Sequence, residues 1–161
     1  MPETTTTQRR FARWVTFVSL MVWGAIHVAG GVALLTADTT DGLRTLGSRV
    51  ADSVPLDPGS AASGLLQFHG LNIALAGAAV AILAVSWFRS GVRWRLDVSL
   101  AVAIGFDIGL ILFLVLPGLL PPSEGLIGPA LALIALVASI GLRRDGDDTA
   151  VTRTRRQELS A

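Results

Sequence analysis

The sequence predicts an all-α fold: a polytopic membrane protein built as a bundle of four transmembrane helices, with a short amphipathic helix in the first outer loop. The first observation is composition, since 52% of the 161 residues are hydrophobic, only 16% are charged and the mean hydropathy is +0.61. A soluble domain of this size needs more polar surface than that. The second observation is a set of four long apolar runs, and the third is an uneven distribution of arginine.

The four apolar runs predict the spans, at about residues 14–36, 63–88, 96–116 and 125–142. A helix needs about 20 apolar residues to cross the hydrocarbon core of a bilayer. The runs are continuous rather than alternating, which favours helices over the strands of a barrel. Only Asp97 and Asp107 bring a charged group into them.

Arginine predicts the orientation of the spans. The two outer connections carry only Arg44 and Arg49. The remaining arginines precede the first span, lie between the second and third, or follow the fourth: Arg9, Arg10, Arg13, Arg89, Arg93, Arg95, Arg143, Arg144, Arg153, Arg155 and Arg156. The positive-inside rule therefore places both termini in the cytoplasm, in a multi-pass protein of the cell membrane. Trp14, Trp87 and Trp94 fall at the expected cytoplasmic interface.

The segments outside the spans are polar. Residues 1–12 and 144–161 have few apolar residues to bury, so we expect disordered cytoplasmic tails around a transmembrane domain at residues 13–143. The first outer connection contains DGLRTLGSRVADSV, in which apolar residues recur at steps of three or four. This spacing predicts a short amphipathic helix that lies in the outer interface or caps the bundle, with its apolar face formed by Leu43, Leu46, Val50 and Val54.

Small residues predict where the helices approach one another, because helices in lipid associate through close contact over such ridges. The first span carries Gly24 and Gly31, and the third carries the GxxxG pair Gly105 and Gly109. The second span carries a longer ridge, formed by Gly70, Ala74, Gly77 and Ala81. The three ridges together predict a compact bundle.

Polar side chains inside the spans mark a candidate site. The stretch LLQFHGLNIALAG, residues 65–77, holds His69 and Asn72 on one helical face, while the first span supplies His27 and the third Asp107. At 1.5 Å per residue, the three titratable groups lie roughly 12, 9 and 14 Å from the outer ends of their helices. They therefore share one depth in the outer half of the bilayer. A carboxylate at that depth requires a proton, a partner or water.

We interpret these four residues as a polar intramembrane site of a small integral membrane protein, a binding or accessory component rather than a free-standing enzyme. The competing structural interpretation is that each side chain only makes a hydrogen bond between helices. A homo-oligomer or a larger membrane complex is expected, because four helices enclose little volume.

Three functional alternatives remain open. In a haem b-binding redox subunit, His27 and His69 would be the axial ligands. In a proton- or ion-coupled transport component, Asp107 would exchange a proton with a histidine. Two imidazoles and one carboxylate could also hold a divalent metal.

The sequence argues against several other classes of function. The chain has no cysteine, which excludes disulfides, thiolate metal sites and thiol chemistry. It contains no G-x-S-x-G or comparable nucleophile motif. The arginines are scattered at the ends of spans and do not form a nucleic-acid-binding pattern. The lipid bilayer is thus the one partner that composition requires.

Overall fold

A computed structural model describes residues 3–46 and 60–158, and over these residues the chain is helical with no strand. This confirms the all-α prediction. The helices, in chain order, are α1 (Glu3–Thr36), α2 (Thr39–Leu46), α3 (Ser60–Ser90), α4 (Arg93–Leu110), α5 (Pro122–Gly125) and α6 (Ile127–Glu158).

Among the described residues, four helical segments are long and apolar enough to cross a membrane by length and composition: Thr6–Thr36, Ser63–Ser90, Arg93–Val115 and Pro122–Leu142. They coincide with the four expected spans and extend two to eight residues beyond four of the eight expected ends. The structure also has helix where disordered tails were expected, since α1 begins at Glu3 and α6 continues to Glu158. Low apolar content predicts that a segment has nothing to bury, but an established helix can still propagate through its own backbone hydrogen bonds.

The long helices run up and down in turn. Gly24 of α1 meets Gly77 of α3, while Arg13 near the start of α1 bonds to Phe88 near the end of α3. The tight turn from α3 to α4 needs a left-handed residue, which Gly91 supplies with φ of 71°. The starts of α1 and α4 and the end of α3 therefore share one end of the bundle, called the terminal end below. The opposite end is the far end.

The closest helix pair is α1 with α3, where glycines allow the two backbones to touch. A Cβ atom added to Gly31 would lie 2.5 Å from the carbonyl oxygen of Gly70, and one added to Gly24 would lie 2.7 Å from that of Gly77. The small-residue prediction is confirmed for these two helices. It is wrong for the third span, because a Cβ on Gly105 or Gly109 would meet no atom within 4 Å.

The packed core lies toward the terminal end. Its buried residues come from all four long helices: Leu20, Trp23, Val80, Ala84, Trp87, Leu96, Leu100, Ala103, Ala132 and Ala135. Trp14 and Trp94 are exposed at this end, as expected of interfacial rings, but Trp87 is only 5% exposed. Trp87 is buried because its ring packs into the core, where the guanidinium of Arg13 lies 5.9 Å from it.

The helix α2 caps the far end of α1 and α3. Its Leu43 is buried against Leu34 and Leu66, and the backbone N–H of Asp41 donates to the Asp38 carboxylate at 2.9 Å. This supports the capping alternative for residues 39–46. The rest of the expected amphipathic helix, including Val50 and Val54, lies outside the described residues.

The far end of α4 has an unusual backbone. Residues Ile111–Val115 form a π-helical turn, in which the N–H of Leu116 donates to the carbonyl of Ile111 at 2.9 Å. Gly118, with φ of 76°, then ends the helix. Such turns place one extra residue in the helix and are frequent at functional sites. This turn carries Phe113 and Leu114 into the wall of the cavity described next.

Candidate functional site

A cavity of about 660 Å³ opens between α1, α3 and α4 in the far half of the bundle. Its surface is mostly apolar, and its polar side chains are two imidazoles and one carboxylate. The lining residues are Ile26, His27, Gly30, Leu34, His69, Ile73, Gly105, Phe106, Gly109, Leu110, Phe113, Leu114, Leu120 and Glu124. Gly105 and Gly109, expected to pack against a helix, instead leave space for this cavity.

His27 and His69 reach the cavity from different helices. His27 is half-buried on α1, and His69 is exposed on α3. Asn72 does not line the cavity, although it was expected to share the site with His69. On α3 the cavity-facing residues are His69 and Ile73, and Asn72 is turned about 100° away from its neighbour Ile73 around the helix.

Asp107 lies behind the cavity wall rather than in it. Its side chain is only 3% exposed, and its Oδ2 accepts a hydrogen bond of 3.0 Å from the indole Nε1–H of Trp23. Trp23 is itself fully buried. This bond joins α4 to α1 in the interior, so Asp107 does not face lipid.

Trp23 connects the carboxylate to His27. The indole and imidazole rings stack with centroids 3.6 Å apart and an angle of 19° between their planes. The ring nitrogen Nδ1 of His27 also lies 2.9 Å from the backbone carbonyl oxygen of Trp23, one helical turn earlier. The stack and the hydrogen bond together fix the orientation of the imidazole.

The second carboxylate oxygen faces the start of α6. Asp107 Oδ1 is buried and has no hydrogen-bond partner among the described residues. A Cβ added to Gly128 would lie 2.8 Å from this oxygen and 3.5 Å from Cε1 of His27. The carboxylate and the imidazole are therefore neighbours across the space that Gly128 leaves open.

The expected four-residue site is thus divided. His27 and His69 share the cavity, Asp107 adjoins His27 through Trp23, and Asn72 is not among the residues that line the cavity. Over the described ranges, 3–46 and 60–158, no three or more His, Cys, Asp or Glu side chains are close enough to hold a metal ion. His27, His69 and Asp107 therefore do not come together as a metal site.

Two further residues were missed by sequence reasoning. Trp23 could have been predicted from the sequence for two reasons. It precedes His27 by four residues and so lies on the same face of the helix. Its indole N–H also lies inside an apolar span, where it needs a hydrogen-bond acceptor. Gly128 had none, because glycine is common in any membrane helix.

Comparison of the chain with protein-family models, curated proteins and solved structures gave no match. The function is therefore inferred from the cavity and the groups around it.

Proposed function

We propose that this chain is a multi-pass protein of the cell membrane that binds a lipid-soluble amphiphile in the cavity between α1, α3 and α4. Four helices of sufficient length and apolarity support membrane insertion. The arginine clusters at the terminal end support an orientation with both termini in the cytoplasm and the cavity in the outer half of the bilayer.

The observation that carries this proposal is that His27 and His69, from two different helices, line one cavity whose other walls are apolar apart from Glu124. Ligand sites in proteins typically have volumes of about 300–1,000 Å³ and combine apolar walls with a few polar groups that orient the ligand. The two imidazoles would orient the polar head of the ligand, and the apolar walls would cover its body.

The rim of the cavity supports entry from the bilayer. Phe113 is 73% exposed and Ile26 is 43% exposed, and both line the cavity. In a membrane these exposed apolar side chains would face lipid rather than water. A ligand that partitions into the bilayer could therefore reach the cavity laterally, without crossing an aqueous phase.

Haem b is a second candidate occupant, favoured by the presence of one imidazole on each of two walls of the cavity. Proton coupling is a third candidate, favoured by the position of the Asp107 carboxylate beside His27. Neither candidate is supported by the apolar lateral rim, which favours an amphiphile.

Quenching of Trp23 fluorescence tests the binding proposal. In a variant that keeps Trp23 and has Phe in place of Trp14, Trp87 and Trp94, an alkyl amphiphile with a brominated chain should quench the fluorescence, because the Trp23 indole stacks on a cavity-lining imidazole. Gly105→Phe should abolish the quenching by filling the cavity. The matched control is Gly64→Phe, since a side chain at Gly64 also meets open space but lies outside the cavity. Equal quenching in the two variants would refute the proposal.

Reporter fusions test the proposed orientation. We expect cytoplasmic activity for a fusion after Ala161 and extracytoplasmic activity for one inserted within residues 47–59. An extracytoplasmic C-terminus would place the cavity in the opposite leaflet and overturn the orientation.

A further inference from the structure

We infer that the ligand of this cavity is a lipid-soluble primary or secondary amine, bound as its ammonium ion, with Nε2 of His27 accepting a hydrogen bond from its N–H. This inference rests on the proposed function, because it assigns a chemical class to the amphiphile that the cavity would hold.

The hydrogen bond at Nδ1 decides which role His27 can play. A backbone carbonyl oxygen only accepts hydrogen bonds, so the 2.9 Å contact between Nδ1 and the Trp23 carbonyl requires the proton on Nδ1. In the neutral imidazole, Nε2 then carries a lone pair and no hydrogen. Within residues 3–46 and 60–158, the contact at Nδ1 is the one side-chain hydrogen bond that His27 makes. His27 therefore offers an acceptor, which selects a ligand that donates.

The imidazole cannot easily exchange this role for that of a donor. Stacking on Trp23 at 3.6 Å holds the ring in its plane, and the Asp107 carboxylate holds Trp23 through the 3.0 Å indole bond. Asp107 and Trp23 are thus positioning residues for His27. An ester or ketone head group can only accept hydrogen bonds. Bound beside His27, it would leave the lone pair of Nε2 without a donor, which weakens binding.

Charge selects among the possible donors. Glu124 lines the cavity, and the Asp107 carboxylate lies beside His27 behind its wall. Among the residues that the structure describes, 3–46 and 60–158, no arginine lines the cavity, and the chain contains no lysine. The carboxylate of Glu124, with no cation lining the cavity among the described residues, attracts a positive head group and repels a negative one. An ammonium ion satisfies both requirements, since it is cationic and carries N–H donors.

A set of dodecyl amphiphiles separates these requirements, because its members share one chain and differ only in the head. Dodecylamine offers charge and donors, dodecanol a donor without charge, dodecyltrimethylammonium charge without a donor, and laurate the opposite charge. Each competes with the brominated probe for the full-length protein in lipid nanodiscs, with Trp23 quenching as the readout. We expect dodecylamine to bind at least about tenfold more tightly than the other three.

Three variants assign the selectivity to residues. His27→Phe keeps a stacked ring without the acceptor and should remove the advantage of dodecylamine over dodecyltrimethylammonium. Glu124→Gln should reduce dodecylamine binding and leave dodecanol binding unchanged. The matched control is Asp97→Asn, which removes a carboxylate from the terminal end of α4 and should change neither ligand.

The outcomes distinguish this inference from the proposed function. If dodecanol, dodecyltrimethylammonium or laurate binds as tightly as dodecylamine, the amine assignment is overturned while the binding cavity stands. If the probe itself fails to quench Trp23, both the cavity function and the amine assignment are overturned.

Discussion

The close approach of α1 and α3 at Gly77 gives a sharp test of the architecture of the bundle. In Gly77→Ala the new Cβ would lie 2.6 Å from the carbonyl oxygen of Gly24 and 2.8 Å from the amide nitrogen of Val28. Both atoms belong to a helical backbone, so no side-chain rotation can relieve the overlap. Increasing 2.6 Å to the 3.4 Å of an ordinary contact requires α1 and α3 to separate by about 0.8 Å.

We expect this separation to destabilise the protein by about 1–3 kcal/mol, the usual cost of overpacking. The matched control is Gly64→Ala on the same helix, where the Cβ meets no atom within 4 Å. This variant should gain up to about 1 kcal/mol, because alanine has the higher helix propensity. The two variants should therefore differ by about 1–4 kcal/mol in the free energy of unfolding.

Reversible unfolding in mixed detergent micelles, followed by tryptophan fluorescence, measures this difference. Gly77→Ala should also weaken binding of the brominated probe, since the added Cβ would lie 2.9 Å from the Cβ of His27 and would shift that residue relative to His69. Equal unfolding free energies for the two alanine variants would refute the backbone contact between α1 and α3.

Three further results are expected. The free energy of unfolding of Asp107→Asn should lie within about 1 kcal/mol of the parent, because an amide oxygen can still accept from Trp23. Asp107→Leu should lose about 1–3 kcal/mol, because it leaves the indole N–H unpaired. Equal losses in the two variants would contradict the role of this hydrogen bond. Arg13→Gln should lose about 1–2 kcal/mol in the same unfolding assay, because the guanidinium donates to the carbonyl of Phe88 and lies 5.0 Å from its ring. Protein purified in detergent from haem-replete cells should be colourless, because a single histidine pair is a weak haem signal; a Soret band lost in His69→Ala would favour haem b instead.

The four long helices and their order were predictable from the sequence. Hydrophobic length predicts a span regardless of what packs around it, because satisfying the backbone in lipid depends on the segment alone. The small-residue ridge on α3 was also predictable. Gly70 and Gly77 are seven residues apart, as are the glycines of α1 that they contact. The shared depth of His27, His69 and Asp107 followed from the helical rise, and the structure places all three at or behind one cavity.

Which faces of the helices meet could not be predicted from the sequence, because it depends on how the helices pack together. Depth is fixed by counting residues along one helix, but azimuth depends on how every helix is rotated against its neighbours. Because α4 turns Asp107 inward to Trp23, its Gly105 and Gly109 face open space, and the ridge that predicted a helix contact lines a cavity instead. Asn72 does not line the cavity for the same reason. It lies about 100° around α3 from Ile73, which does line it. Gly128 comes to face the carboxylate only when α6 packs beside α1 and α4, so its role exists in the assembled bundle and in no single segment of the chain.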